Sequence, residues 1–285
     1  MKVYDRQKKE YETSDQYGQE KLRFLYENAI GRLLLRLAVS HFVSGIYGSI
    51  NSRKSSARKI PGFIEKHHID MSDFEEEDYG SFNEFFVRKI RPEKRPFSMR
   101  KDVLISPADS KLLVYGIDED TKLFIKGREY TLDEITGGTY TEGFKGGHAF
   151  VFRLCMDDYH RYCFIDDGKV VSEKRIKGRL HTVSSFSRDH KIYKENTRQV
   201  SVLKTENFGM VIMIEVGALL VGKIVDHDIK EFKKGQEKGY FEPGGSTVII
   251  ITGDNIEVDE DIMEQSSAGI ETKVRYGERI GTSRC

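Results

Sequence analysis

The run Thr247-Val248-Ile249-Ile250-Ile251-Thr252 constrains this chain more than any other stretch. Branching at Cβ stiffens such side chains and suits them to a pleated strand rather than a helix. No polar residue interrupts the run, so neither of its faces is marked for solvent. It is expected to be a strand covered on both sides. Shorter runs of the same kind occur at 103–106, 111–115, 122–125, 149–154, 169–172, 200–204 and 211–216, punctuated by Gly, Asp and Asn. Residues 97–285 are therefore expected to form a β-rich domain of sandwich or barrel type.

The first 96 residues have a different rhythm. Leu22, Leu25, Tyr26, Ala29, Ile30, Leu33, Leu34 and Leu37 recur at the spacing of one helical face, with Glu27, Arg32 and Arg36 largely off it. A second apolar stretch covers 38–47, and Phe82 to Lys89 reads as a short helix closed by Arg91-Pro92 and Arg95-Pro96. The expected class is α+β: N-terminal helices over 1–96, then the β-rich domain. The 22–47 region either packs on its own domain or lies in a membrane interface with its arginines near head groups.

Charge and cysteine content exclude several alternatives. Lys plus Arg and Asp plus Glu both number 46, so the overall balance carries no electrostatic footprint of nucleic-acid binding. Cys155, Cys163 and Cys285 are few, odd in number and lack metal-type pairing, which argues against a disulfide framework. Residues 1–20 are polar and lack the pattern of a secretory signal. No apolar run approaches the roughly 18 residues needed to span a bilayer, so any membrane association is expected to be peripheral.

Three short elements could carry chemistry. Gly244-Gly245-Ser246-Thr247 opens the apolar strand, and two glycines permit backbone geometry that other residues resist. Ser246 could there attack the Gly245 carbonyl, and acyl shift followed by β-elimination would leave a pyruvoyl group. Taken alone, the same residues fit an ordinary turn before a strand. Asp157-Asp158-Tyr159-His160-Arg161-Tyr162-Cys163 places a histidine, able to move protons near neutral pH, after the strand that ends near Leu154. Beside a tyrosine, it could equally be a core or surface histidine. Ser106-Pro107-Ala108-Asp109-Ser110 sets an acid in a turn, where it could close an Asx turn or orient a catalytic base.

Order and spacing add what each element lacks. Phe82 to Lys89 with Arg95-Pro96, Ser106-Pro107-Ala108-Asp109, Phe152-Arg153-Leu154, Asp158-Tyr159-His160-Arg161, Asn207-Phe208-Gly209, Glu215-Val216-Gly217-Ala218, Lys238-Gly239-Tyr240-Phe241, Gly244-Gly245-Ser246-Thr247-Val248 and Gly277-Glu278-Arg279-Ile280-Gly281 follow one another along the chain. In this order they resemble the phosphatidylserine decarboxylase proenzymes, particularly the longer bacterial type. The resemblance implies a barrel-sandwich hybrid in the catalytic part, often as a homodimer. It also implies self-cleavage between Gly245 and Ser246, giving a larger β chain (1–245) and a smaller α chain (246–285) that begins with a covalent pyruvoyl group made from Ser246. That ketone would act as the electron sink for decarboxylating phosphatidylserine to phosphatidylethanolamine, with no metal or diffusible cofactor. A lipid substrate also raises the interfacial reading of the 22–47 helix, on the cytoplasmic face of the cell membrane.

By the same resemblance Asp109 matches the acid of an Asp-His-Ser relay, Ser246 the nucleophile, and His160 the histidine that assists decarboxylation. The family's relay histidine falls at position 163, which here is Cys163. A thiol with a reference pKa of about 8.5 is mostly protonated at neutral pH and is a poor substitute for imidazole. His160 could serve both steps, His148 could fill the space, or processing could be slow or lost. The competing functions are a pyruvoyl decarboxylase of another amine and a non-processing relative that binds phospholipid.

Overall fold

A computed structural model of the chain describes residues 2–13, 24–28, 30–31, 34–35, 39–118, 120, 122–125, 128–138, 143–181, 192–218, 223–244 and 246–284. Among them, ten strands share one sheet in the order Glu231–Phe232, Gly168–Ile176, Arg198–Thr205, Met210–Gly217, Ser246–Thr252, His148–Leu154, Ser110–Gly116, Glu271–Val274, Lys2–Asp5, Glu10–Thr13. The order is linear, so this sheet is open rather than a closed barrel. Two three-stranded sheets flank it: Ile224–Asp226, Glu237–Phe241 and Arg161–Cys163 in one, Ile256–Val258, Arg279–Ser283 and Val103–Ile105 in the other. With the helices, this is the α+β class that the sequence pattern predicts.

The apolar runs are uninterrupted because both faces of the central strands are covered. Along Met210–Gly217, Val211 and Met213 enter one core while Ile212, Ile214 and Val216 enter the other. Along Ser246–Thr252, Val248 and Ile250 join the first core and Ile249 and Ile251 the second. The 122–125 run pairs only with Arg128–Thr131, in a hairpin outside the large sheet.

The chain after residue 245 is threaded through the chain before it. Ser246–Thr252 lies between Met210–Gly217 and His148–Leu154, and Glu271–Val274 lies between Ser110–Gly116 and Lys2–Asp5. Arg279–Ser283 pairs with Val103–Ile105. The strands at Lys2–Asp5 and Glu10–Thr13 have no counterpart in the sequence pattern, since they form a polar edge rather than an apolar run. Their attachment is partly ionic: Arg6 donates to Asp261 at 2.6 and 2.9 Å, to Asp259 at 3.0 Å and to Glu278 at 3.1 Å.

Much of the 22–37 stretch lies outside the described residues. Helix His41–Asn51 follows, with the Ser40 side chain accepting from the Val43 amide at its N-terminus. Ser81 caps Phe82–Phe86 in the same way through the Glu84 amide. That helix stops at Phe86, earlier than the pattern over 82–89 suggests. Phe82, Phe85 and Phe86 are all buried in one cluster, which draws the chain inward.

The fully buried Ile249 tests the two-sided packing. Ile249→Ala is expected to cost about 2–5 kcal/mol and Ile249→Val about 0.5–1.5 kcal/mol in urea unfolding, the scale of a cavity in a close-packed core. Losses below about 0.5 kcal/mol for Ala would mean that the second face is open to solvent.

Candidate active site

Ser246 is the first residue of the central strand, opposite Leu154 on one neighbour and Gly217 on the other. It shares a strand face with Val248 and Ile250, and so faces the first core. Its side chain is wholly buried, and its hydroxyl has no hydrogen-bond partner among the described residues. An unsatisfied buried hydroxyl is costly, at about 1–3 kcal/mol, and its persistence asks for a reason. Two residues earlier, Gly244 has φ +146°, a conformation that L side chains rarely adopt. Gly245 lies outside the described residues.

His160 is built to present one bare nitrogen. Its Nδ1 lies 2.8 Å from the Asp158 carbonyl oxygen, an acceptor, so Nδ1 carries the proton and Nε2 keeps its lone pair. Nε2 is buried without a partner among the described residues, and the ring lies against Phe86 with centroids 4.2 Å apart. Burial pushes the imidazole down to about 3, against the pull of the Asp158 carbonyl, so it is neutral at physiological pH. The His160 carbonyl accepts from the Phe241 amide at 3.0 Å, and the chain then runs through Pro243 and Gly244 to Ser246. This bond ties the His160 backbone to the segment leading into Ser246, while Nε2 and the Ser246 Oγ, both without a partner among the described residues, do not hydrogen-bond to each other. His148 pairs with Thr252 at the other end of the strand from Ser246, ~20 Å away at a strand rise of about 3.3 Å per residue.

Asp158 anchors this arrangement at both of its ends. While its carbonyl orients His160, its carboxylate accepts from Lys111 Nζ at 2.7 and 2.8 Å and from the Cys155 amide at 2.7 Å. Burial pushes the Asp158 carboxyl up to about 6, whereas Asp158 holds the Lys111 ammonium above its ordinary range despite burial. Two short contacts and an added amide donor favour the ionised pair.

Asp109 and Cys163 are linked to each other rather than to His160. The Asp109 carboxylate accepts from Arg95 at 3.1 and 2.7 Å and from the Tyr276 amide at 2.7 Å. The hydroxyl of Tyr276 meets the Cys163 side chain and donates to the Gly235 carbonyl at 2.9 Å. Cys163 is fully buried, and burial pushes its thiol up to about 12. At neutral pH it is an uncharged thiol and cannot accept a proton from Ser246.

Residues outside the sequence-based selection complete the surroundings. Lys238, 1% exposed, lies 3.1 Å from both Glu215 and Asp226, and Tyr162 donates to Asp226 at 2.7 Å. Glu215 shares with Met213 the strand face toward the first core, and burial pushes its carboxyl up against the opposing pull of Lys238. A Cβ on Gly239 would come within 2.8 Å of the Tyr162 hydroxyl and 2.9 Å of Asp226, so only glycine leaves room for that contact. A carboxylate inside the run Val211-Ile212-Met213-Ile214-Glu215-Val216 was the available sequence signal for this cluster.

A family model described as phosphatidylserine decarboxylase matches residues 82–282, from the aromatic helix to the last strand and across every element just described. The chain belongs to the phosphatidylserine decarboxylase family. It is 52% identical over 283 residues to phosphatidylserine decarboxylase proenzyme 2 of Clostridium acetobutylicum, covering 98% of this chain and 97% of that protein. It is 41% identical over 292 residues to the phosphatidylserine decarboxylase proenzyme of Clostridium botulinum strain Alaska E43, covering 99% of each. The Clostridium tetani proenzyme is 38% identical over 294 residues, covering 100% of this chain and 99% of that one.

The neutral, buried His160 has a thermodynamic signature. Its folded pKa lies below the unfolded value, so the unfolded chain binds more protons between about pH 6.5 and 3. Its contribution to stability is complete above about pH 6.5 and is lost as pH falls through that window. Urea midpoints measured from pH 7 to 4 should therefore fall more steeply with acid for wild type than for His160→Gln, by up to about one proton in slope. Parallel curves would place the imidazole in contact with solvent.

Proposed function

We propose that the chain is a proenzyme that cleaves itself between Gly245 and Ser246 and, once processed, converts phosphatidylserine to phosphatidylethanolamine and carbon dioxide. The observation that carries this reading is the buried hydroxyl of Ser246, without a partner among the described residues, directly after the glycine pair, in a family whose members bear the name proenzyme. His160 Nε2, neutral and with its lone pair uncommitted among the described residues, is the proton acceptor that this reading assigns to it. In this reading Nε2 takes the Ser246 hydroxyl proton as Oγ bonds to the Gly245 carbonyl carbon. The 245–246 C–N bond breaks, the proton passes to the Ser246 nitrogen, and an ester remains. Loss of the Ser246 α-proton expels the Gly245 carboxylate. Water then replaces the nitrogen, releasing ammonia and leaving the pyruvoyl group.

The surroundings of Ser246 fit a group made in place. The strand it heads is paired on both edges, so the new terminus would stay opposite Leu154 and Gly217 after the cut. When present, the pyruvoyl ketone supplies an electron sink for loss of a carboxylate next to an amine. The chain's own part is to exclude water and to move a proton. Phe86 and the first core keep the space apolar, which favours expulsion of a charged carboxylate as a neutral gas. In this reading His160 Nε2 holds or delivers the proton at the substrate α-carbon. Asp109 supports the reading from further out, by fixing the Tyr276 backbone behind Cys163.

Intact mass under denaturing conditions tests processing. Wild type is expected as fragments 1–245 and 246–285 that co-elute natively, because their strands interleave. His160→Gln is expected to slow cleavage by about 10²–10⁴-fold, the usual worth of a general base, and Cys163→Ser to leave it within about threefold. A single full-length species with unmodified Ser246 would instead leave a phospholipid-binding relative without the chemistry. A processed protein that releases no carbon dioxide from phosphatidylserine would point to another amine substrate.

We also propose peripheral attachment to the cytoplasmic face of the cell membrane. Among the described residues no helix is long and apolar enough to cross a membrane. On helix His41–Asn51, Phe42, Ile46 and Ile50 form one exposed stripe at helical spacing, with Phe42 77% exposed. Arg53, Lys54 and Arg58 follow, all exposed, at its C-terminal end. An apolar stripe beside basic residues suits the boundary of an anionic bilayer. Phe42→Ser combined with Ile46→Ser should cut co-sedimentation with phosphatidylserine vesicles by about tenfold or more, given about 1.5–3 kcal/mol per large side chain buried. Unchanged co-sedimentation would remove this helix from the interface.

A further inference from the structure

Arg88 is a buried cation with two nitrogens that find no partner among the described residues. Its side chain is 1% exposed, and its guanidinium carbon lies 4.2 Å from the Phe74 ring centroid and 4.7 Å from that of Phe85. Both rings lie against the guanidinium in cation–π contact, which leaves its in-plane hydrogen-bonding edge to other partners. Nη1 donates to the Phe85 carbonyl at 3.3 Å, while Nε and Nη2 are buried and make no hydrogen bond among the described residues. Those two nitrogens share one edge and form the side-on fork that grips two oxygens of a single anion.

No carboxylate among the described residues reaches that fork. Asp109 is engaged by Arg95 and Tyr276, and Asp158 by Lys111 and the Cys155 amide. Asp157 attracts Arg88 through space without an ion pair among the described residues. Burial lowers the guanidinium only to about 10, so it stays charged at neutral pH. A desolvated charge left without a counter-charge is strongly unfavourable, unlike the paired Lys111 and Arg153 nearby. Arg88 is also close to His160: Phe86, two residues earlier, lies tilted against that ring, and the charge of Arg88 helps to lower its proton affinity.

We propose that Arg88 receives the phosphodiester of the lipid substrate, its Nε and Nη2 donating to the two non-bridging oxygens. The inference rests on the lipid-decarboxylase reading above. Of the two anions on a phosphoserine head group, the carboxylate loses its charge in the transition state. A cation paired with it would stabilise the ground state more and slow the reaction. The phosphodiester keeps its charge from substrate to product, so holding it anchors the head group without opposing decarboxylation. The fork is covered in the intact chain, and entry of the head group requires the cover around Phe74 to shift.

The test compares full-length wild type, Arg88→Met, Arg88→Lys and Arg88→Met/Asp157→Asn, assayed on phosphatidylserine in mixed micelles. If the wild type makes no phosphatidylethanolamine, the earlier reading fails whatever Arg88 does. If it does, and Arg88→Met still cleaves itself, KM should rise about 10- to 100-fold with kcat within about threefold, the scale of a charged hydrogen-bonded contact. Inhibition by phosphatidylethanolamine, which keeps the phosphate and lacks the carboxylate, should weaken by the same factor. Arg88→Lys should recover part of the loss, as a point charge without the fork. Unchanged KM overturns the proposal. Raised KM with unchanged product inhibition assigns Arg88 to the carboxylate, and full recovery in the double variant makes it the counter-charge of Asp157; either outcome overturns it. Should Arg88→Met fail to fold, the wild type is assayed on the neutral methyl phosphotriester of the substrate, where an unchanged KM overturns the proposal as well.

Discussion

The register of Ser246–Thr252 between Met210–Gly217 and His148–Leu154 is the constraint on which the rest of this structure depends. Side chains alternate between two filled cores, so a slip of one residue would exchange every one of them between faces. With both faces apolar, shape rather than polarity holds the register, together with ladders on both edges. The polar end of the strand benefits. Ser246 is held opposite Gly217, where no side chain competes for space, and opposite Leu154, which leads into the loop that carries His160.

Buried charge is distributed so that it orients rather than merely stabilises. Lys111 with Asp158, Arg153 with Glu271, and Lys238 with Glu215 and Asp226 are pairs or triads in the interior. Such pairs seldom repay their desolvation in stability, but they hold one geometry strongly, because breaking them strands a charge. Asp158 shows the use of this: with its carboxylate locked on Lys111, its carbonyl is a fixed acceptor that settles the tautomer of His160. Arg88 stands apart as a charge whose fork no described side chain fills, which is why it reads as a receptor rather than a strut.

Much of the fold was legible because burial on two faces writes itself into sequence as unbroken Val and Ile. The element proposed to react was legible for a different reason, since Gly244-Gly245-Ser246 sits at the mouth of such a run. Other features were silent. Lys2–Asp5 pairs with Glu271–Val274 and Glu10–Thr13 through backbone hydrogen bonds that leave no apolar pattern. Glu215 and Lys238 meet across two sheets, a contact that local spacing cannot express. Asp109 looked like the partner of a histidine, yet its turn faces Arg95 and the Tyr276 backbone. His148 looked able to stand in for the missing imidazole, and strand length alone separates it from Ser246.

The sequence by itself determined the class of fold, the family, and the serine that heads the central strand, because hydrophobic pattern and ordered motifs are local properties of a chain. Only the tertiary structure decided the electrostatic state of the site. A thiol at 163 and an imidazole at 160 have ordinary proton affinities in an unfolded chain. Burial removes the water that would stabilise the thiolate or the imidazolium, so Cys163 stays protonated and His160 stays neutral. Among the described residues, the same burial leaves Ser246 without a partner and Arg88 without a counter-charge. Both are properties of the neighbours that folding supplies and of the solvent that it excludes.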